Sequence, residues 1–163
     1  MDIKIRHMKK SDWDAVSRIY KEGIETKTAT FQQDAPSYGE WNRDHMKPCR
    51  FVAENTNGEV VGWAALTPVS SRCVYQGVAE VSVYVTPFDK GKGIGEALLL
   101  NLIEASEEAG IWTLQSSIIS TNKASIRLHE KCGFRMIGYR EKIARDMDGE
   151  WQNIVMLERR SQI

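Results

Sequence analysis

Neither sign of charge is in excess. Twenty-two Lys and Arg stand against 22 Asp and Glu, mixed along the 163 residues, so nothing points to a nucleic acid or a membrane surface as the main partner. No apolar run approaches the ~20 residues that a membrane span needs. The opening Met-Asp-Ile-Lys-Ile-Arg lacks the apolar core of a signal peptide, and a soluble protein of the cytoplasm is expected. The three cysteines, Cys49, Cys73 and Cys132, are odd in number, far apart and without Cys-x-x-Cys spacing. They read as reduced thiols, with no disulfide framework and no metal site. Internal repeats, low-complexity tracts and linkers are also missing, so residues 1–163 are expected to form one domain, long enough to bury a core without metal or disulfides.

What is present alternates between strand and helix patterns. Ile3 and Ile5 alternate with charges, as in a strand with one wet face. Ser11-Asp12-Trp13-Asp14 has the form of a capping box with Asp in place of Glu, opening a helix that reaches about Glu25. Residues 25–32 read as a polar loop whose single aromatic, Phe31, either lines a cleft or anchors the loop. Ser37-Tyr-Gly-Glu40 matches the capping box closely and opens a short helix through Met46. Residues 50–55 and 59–67 form two strands joined by Asn57-Gly58, a strong hairpin signal. With the strand that begins at Glu80 they make an antiparallel meander. Residues 112–119 read as a strand parallel to the Glu80 strand, because a helix lies between them as a crossover. A helix from Asn122 to Gly133 follows, and strands 134–144 and 151–158 close the sheet around Asp148-Gly149.

The most informative stretch is residues 80–100. Residues 81–85 are β-branched and aromatic with a period of two, as in a buried strand, and Pro87 ends the ladder because it has no N–H. Gly91, Gly93 and Gly95 follow, and Ala97, Leu98, Leu102 and Ile103 recur at helical spacing as far as Gly110. A strand, a glycine loop and a helix in that order aim several N–H groups and the positive end of a helix dipole at one point, where phosphate binds. Lys90 and Lys92 add cations there. The loop is not a P-loop, because Lys92 is followed by glycine and not by Ser or Thr. It is not a Rossmann fingerprint either, because the sixth position from Gly91 is Glu96, whose carboxylate would face a pyrophosphate.

Lys90-Gly-Lys-Gly93-Ile-Gly95 resembles the acyl-CoA loop of the GNAT superfamily of N-acetyltransferases, Gln/Arg-x-x-Gly-x-Gly/Ala, with Lys in the Gln/Arg place. Asn122-Lys-Ala-Ser125-Ile-Arg-Leu128-His129-Glu-Lys-Cys-Gly133-Phe134 is similar to the family's second hallmark. Glu80-Val-Ser-Val-Tyr84-Val, Leu128-His129-Glu and Gly149-Glu-Trp151 resemble the phosphinothricin and methionine sulfone acetyltransferase branch. The resemblance spans essentially the whole chain.

The resemblance implies an α/β fold with a central mixed, splayed sheet and helices on both faces. It implies transfer of an acetyl group from acetyl-CoA to the amine of a small amino-acid-like acceptor, by direct attack and without a metal. Val83, Tyr84 and Val85 would pair with pantetheine; Gly91, Lys92, Gly93, Ile94, Gly95 and Glu96 would hold the pyrophosphate, and Asn122 would touch the CoA arm. An amine needs a base to attack at pH 7, and Glu80 takes that role. His129 stands where many relatives carry a tyrosine that protonates the thiolate, and Tyr84 could reach either role. The acceptor pocket would draw on Phe31, Ser70, Ser71, Arg72, Glu80, Val81, Ser82 and Trp151, with Arg72 facing an acceptor carboxylate or phosphinate. A homodimer is implied as well. The rival readings are a sensor that binds acyl-CoA without turnover, and a protein N-terminal acetyltransferase.

Overall fold

The computed structural model describes residues 2–163. Seven strands and four α-helices alternate as β1 (Lys4–His7), α1 (Trp13–Glu25), α2 (Tyr38–Asp44), β2 (Phe51–Glu54), β3 (Val60–Pro68), β4 (Val78–Val85), α3 (Ile94–Glu108), β5 (Thr113–Ile119), α4 (Lys123–Lys131), β6 (Arg135–Arg145) and β7 (Trp151–Arg160). They build one mixed sheet in the order β1-β2-β3-β4-β5-β7-β6. Strands β2, β3 and β4 form the expected antiparallel meander, and β4 and β5 are parallel across the α3 crossover. The last hairpin folds back so that β7, not β6, lies beside β5.

The central strand β3 reads Val-Val-Gly-Trp-Ala-Ala-Leu and is buried on both faces, as a strand covered by helices on either side must be. On one face Val16, Ile19 and Tyr20 of α1 and Trp41 of α2 pack against Val52, Trp63 and Ala65. On the other, Leu98, Leu99 and Leu102 of α3 pack against Phe51, Ala64, Leu66 and Val81. Helix α3 lies so close that a Cβ at Gly62 would come within 2.9 Å of Leu98 Cδ1 and 3.0 Å of the Tyr84 carbonyl.

Two expectations about helix ends need correction. The box at residues 11–14 is not the one that forms: Asp12 accepts the Lys9 N–H at 2.7 Å and a two-pronged contact from Arg6, so the stop lies one turn earlier, in a 3-10 turn at Lys10–Asp12. Asp12 is the N-cap of α1 by position, but its carboxylate turns back to Lys9 and Arg6 and caps no N–H of the helix. Helix α2 does carry the Ser37–Glu40 box, but it ends at Asp44, since the Met46 N–H is drawn to the Leu66 carbonyl of β3 at 2.8 Å.

Candidate active site

Strands β4 and β5 share only three register steps, Val78 with Thr113, Ala79 with Leu114 and Glu80 with Gln115. Beyond Glu80 they diverge, and between them opens a cleft of about 390 Å³, within the ~300–1,000 Å³ range of ligand pockets. The direction of the exposed backbone follows from parity. Thr86 donates its N–H to the Val61 carbonyl of β3, in line with the pairing of Tyr84 with Trp63 and Ser82 with Ala65. Groups alternate along a strand, so Val81, Val83 and Val85 turn theirs the other way, into the gap. Buried backbone groups need partners; the Val81 N–H still reaches the Gln115 carbonyl, as the last parallel pair requires, and beyond it Val83 and Val85 have no partner strand on that side among the described residues.

At the far end of β4, a 3-10 turn at Pro87–Asp89 leads into the glycine loop. Gly91 and Gly93 both have φ +80, the left-handed conformation that only glycine adopts cheaply, and Gly93 is the N-cap of α3. Among the described residues, no amide N–H from residue 91 to residue 96 donates to another backbone carbonyl. Six successive free donors at a helix start form an anion cradle. Gly95 brings α3 against α4, where a Cβ would meet Leu128 at 3.2 Å. Of the cations expected here, Lys92 is engaged with Asp89 at 2.9 Å. The Glu96 carboxylate, an unwelcome charge beside an anion, is paired with Lys131 of α4 at 2.8 Å.

Glu80, Tyr84 and His129 all line the cleft. Glu80 is half-buried, and desolvation pushes its carboxyl above the ordinary range, with Ser117 nearby acting in the opposite direction. His129 is 4 % exposed and its ring meets Phe134 edge-on at 5.1 Å. Its Nδ1 lies 2.7 Å from the Ser125 carbonyl; a carbonyl only accepts, so Nδ1 carries the proton and Nε2 is left as an acceptor. Burial lowers the imidazole pKa, so the ring is neutral at pH 7. Tyr84 stacks on Trp63 at 4.9 Å and on Tyr20 at 5.1 Å. Burial raises its pKa, and Tyr20 adds to the effect, so its hydroxyl keeps its proton.

Phe31, Val81, Ser82, Val83 and Asn122 also border the cleft. Asn122 is already at work in the fold, since its Oδ1 caps α4 through the Ser125 N–H and its Nδ2 donates to the Thr28 carbonyl. Val85 lies instead toward the start of α3, its Cγ2 3.7 Å from where a Gly95 Cβ would sit. Ser70, Ser71, Arg72 and Trp151 do not line the cleft. Ser70 accepts the Arg72 N–H at 3.1 Å, and the Arg72 guanidinium covers Tyr75 at 5.4 Å. Trp151 is half-exposed under Arg145 at 4.6 Å.

Other lining residues were not singled out from the sequence: Thr30, Ser116, Ser117, Ile143 and Ala144. The Ser116-Ser117 pair inside an apolar strand is a signal that could have been read. Ile143 could not have been, because a bulge between Arg140 and Ala144, with Lys142 at φ +49, re-aims that part of β6. Among the described residues no group of three or more His, Cys, Asp or Glu side chains is placed to hold a metal ion.

Comparison with known proteins supplies the family. Residues 13–134 match the model of the acetyltransferase (GNAT) family. The phosphinothricin N-acetyltransferase of Alcaligenes faecalis is 30% identical over 95% of this chain and 81% of its own. The L-methionine sulfoximine/L-methionine sulfone acetyltransferase of Pseudomonas aeruginosa is 29% identical over 97% of this chain and 94% of its own. Among solved structures, a GNAT superfamily phosphinothricin acetyltransferase from Sinorhizobium meliloti in complex with AcCoA superposes with a TM-score of 0.88 at 27% identity, covering 98% of this chain and 89% of that one. A splayed β4–β5 pair, a cradle of free amides at the head of α3 and a family match spanning both lead to one conclusion: the chain belongs to the GNAT family of acetyltransferases.

Proposed function

We propose that this chain, acting as one N-acetyltransferase domain over residues 1–163, moves an acetyl group from acetyl-CoA to the amine of a small amino-acid-like acceptor of the phosphinothricin, methionine sulfone or methionine sulfoximine type. The observation that carries this is the continuity of two rows of unpaired backbone groups, those of Val83 and Val85 that face the gap and the free amides of residues 91–96. An amide-rich pantetheine arm fits the first row and a diphosphate the second.

Acetyl-CoA supplies an acyl thioester whose carbonyl carbon the amine attacks; the C–N bond forms as the C–S bond breaks. Glu80, its carboxyl made more basic by burial, takes the ammonium proton directly or through water. The Val83 N–H, directed into the gap, is the donor placed to stabilise charge on the thioester oxygen. Tyr84, which keeps its hydroxyl proton, donates a hydrogen bond to the leaving sulfur, and the proton that the nitrogen sheds as the amide forms ends on that sulfur as the CoA thiol. His129 offers only an acceptor nitrogen to the cleft, which makes it an accessory base. Phe31, Val81 and Ser82 wall the acceptor's end of the cleft. Arg72, Ser70, Ser71 and Trp151 enter the acceptor site only if their segments move inward.

The protein acts in the cytoplasm as a homodimer on this reading. Strand β6 is an edge of the sheet and exposes Met136, Ile137, Tyr139 and Ile143; a long apolar edge of this kind is normally covered. The test of the activity is release of CoA thiol across amino acids, their sulfone and phosphinate analogues, polyamines and short peptides. Turnover confined to the amino-acid analogues supports the proposal. Tight acetyl-CoA binding with no turnover on any amine would instead make the protein a sensor.

A further inference from the structure

The loop that follows α1 forms a wall of the cleft through Ala29, Thr30 and Phe31, and its first two residues, Lys27 and Thr28, are tied down by residues far away in sequence. Asn122, the cap of α4, donates to the Thr28 carbonyl at 3.3 Å. One residue earlier, Lys27 Nζ meets both carboxylate oxygens of Asp148, at 2.9 and 3.2 Å, in the turn between β6 and β7. That turn is itself fixed by Asp146, whose carboxylate accepts from the Asp148 and Glu150 N–H groups and from Gln152 Nε2. A small cavity of about 10 Å³ lies between loop and turn, bordered by Ile24, Phe31 and Met147 among others.

The backbone at Lys27 indicates that this contact shapes the loop. Lys27 follows the last turn of α1 with φ +62, a position where glycine is the default because a side chain there is strained. The lysine that occupies it instead spends its ammonium on Asp148. The pair is half-exposed on both sides, so it is weak and sensitive to salt. A contact of that strength can hold a loop down and still let it open.

Resting on the acceptor reading above, we propose that the Lys27–Asp148 pair is a catch that keeps residues 27–32 strapped across the acceptor end of the cleft and so sets a size limit: free amino-acid-like amines pass, and amines carried on a polypeptide are excluded. Lys27 and Asp148 are specificity-determining residues, outside the chemistry itself.

The experiment uses the full chain with Lys27→Glu, Asp148→Lys and the double charge swap. Amide hydrogen exchange of residues 27–32 is followed alongside kcat/KM for methionine sulfone and for a short peptide with a free N-terminus. Each single reversal is expected to speed exchange of the loop and to raise the peptide's kcat/KM relative to the sulfone's by about two- to five-fold, the range a half-exposed pair supports. The double swap restores both, and acetyl-CoA affinity stays constant throughout. Unchanged exchange in the single reversals overturns the strap whether or not the acceptor reading stands. Faster exchange with unchanged discrimination overturns the size limit. A wild-type protein that binds acetyl-CoA but acetylates no small amine refutes the acceptor reading instead, a result the exchange data keep separate.

Discussion

Glu80 and Gln115 are the last residues that β4 and β5 pair across the sheet. One step further the strands separate, so the carboxyl of Glu80 stands at the head of the cleft. Its half-buried position raises its pKa, and the same burial that makes it a stronger base makes its charged form costly to the fold.

Glu80→Gln is therefore expected to lower turnover by about 100-fold or more, the scale of general base catalysis, while acetyl-CoA affinity is kept. The acid limb of kcat/KM in the wild type lies above the usual carboxylate value of 4.5. The folded state holds the Glu80 proton more tightly than the unfolded one, so this stabilising term is complete below pH 4.5 and lost as pH rises through the raised value. Urea midpoints at pH 4 and pH 7 should show the Gln variant gaining on the wild type at the higher pH.

The opposite sign holds at His129. Its folded pKa is lowered by burial from 6.5, so the stability of the neutral ring is present above pH 6.5 and lost as pH falls through the folded value. His45, half-buried and stacked on Trp41, shifts in the same direction. Melting temperatures between pH 7.5 and 5 should fall less steeply in His129→Gln than in the wild type, with part of the slope remaining from His45.

At Gly93 the space is open but the backbone is not, since nothing lies within 4 Å of an added Cβ while φ is +80. Gly93→Ala should cost about 1 kcal/mol of stability from the left-handed conformation alone, and Gly93→Asn less. Gly93→Glu should in addition abolish acetyl-CoA binding in calorimetry, because it sets a carboxylate among the free amides of residues 91–96.

Gly23 of α1 leaves room for Tyr84, whose ring would lie 2.6 Å from an added Cβ. Gly23→Ala gains about 1 kcal/mol of helix propensity and loses about 1–3 kcal/mol to overpacking, for a net loss of up to about 2 kcal/mol in a denaturant titration. Because Tyr84 stacks on Trp63, displacement of the ring should also change the near-ultraviolet dichroism.

The fold was legible where the sequence uses local signals. The Ser37–Glu40 box, the Asn57-Gly58 turn, the period-two run of β4 and the glycines before α3 all lie where local chemistry put them. The site was legible in its nearby parts, because Glu80 to Tyr84 alternate along one strand and Asn122 and His129 lie on one helix. What could not be read depends on long-range geometry. The turn before α1 is closed by Asp12 on the Lys9 N–H rather than by Ser11, and Arg6 reaches that carboxylate from β1. Ile143 reaches the cleft through a bulge, and no local pattern shows that Arg72 would lie over Tyr75 outside the cleft.

The central claim is that two rows of unpartnered amides receive acetyl-CoA. Amide chemical shifts recorded during a titration of the full chain with acetyl-CoA address it directly. The account requires the largest movements at Val83, Val85 and residues 91–96. Saturable binding that leaves those amides in place and moves others would contradict it.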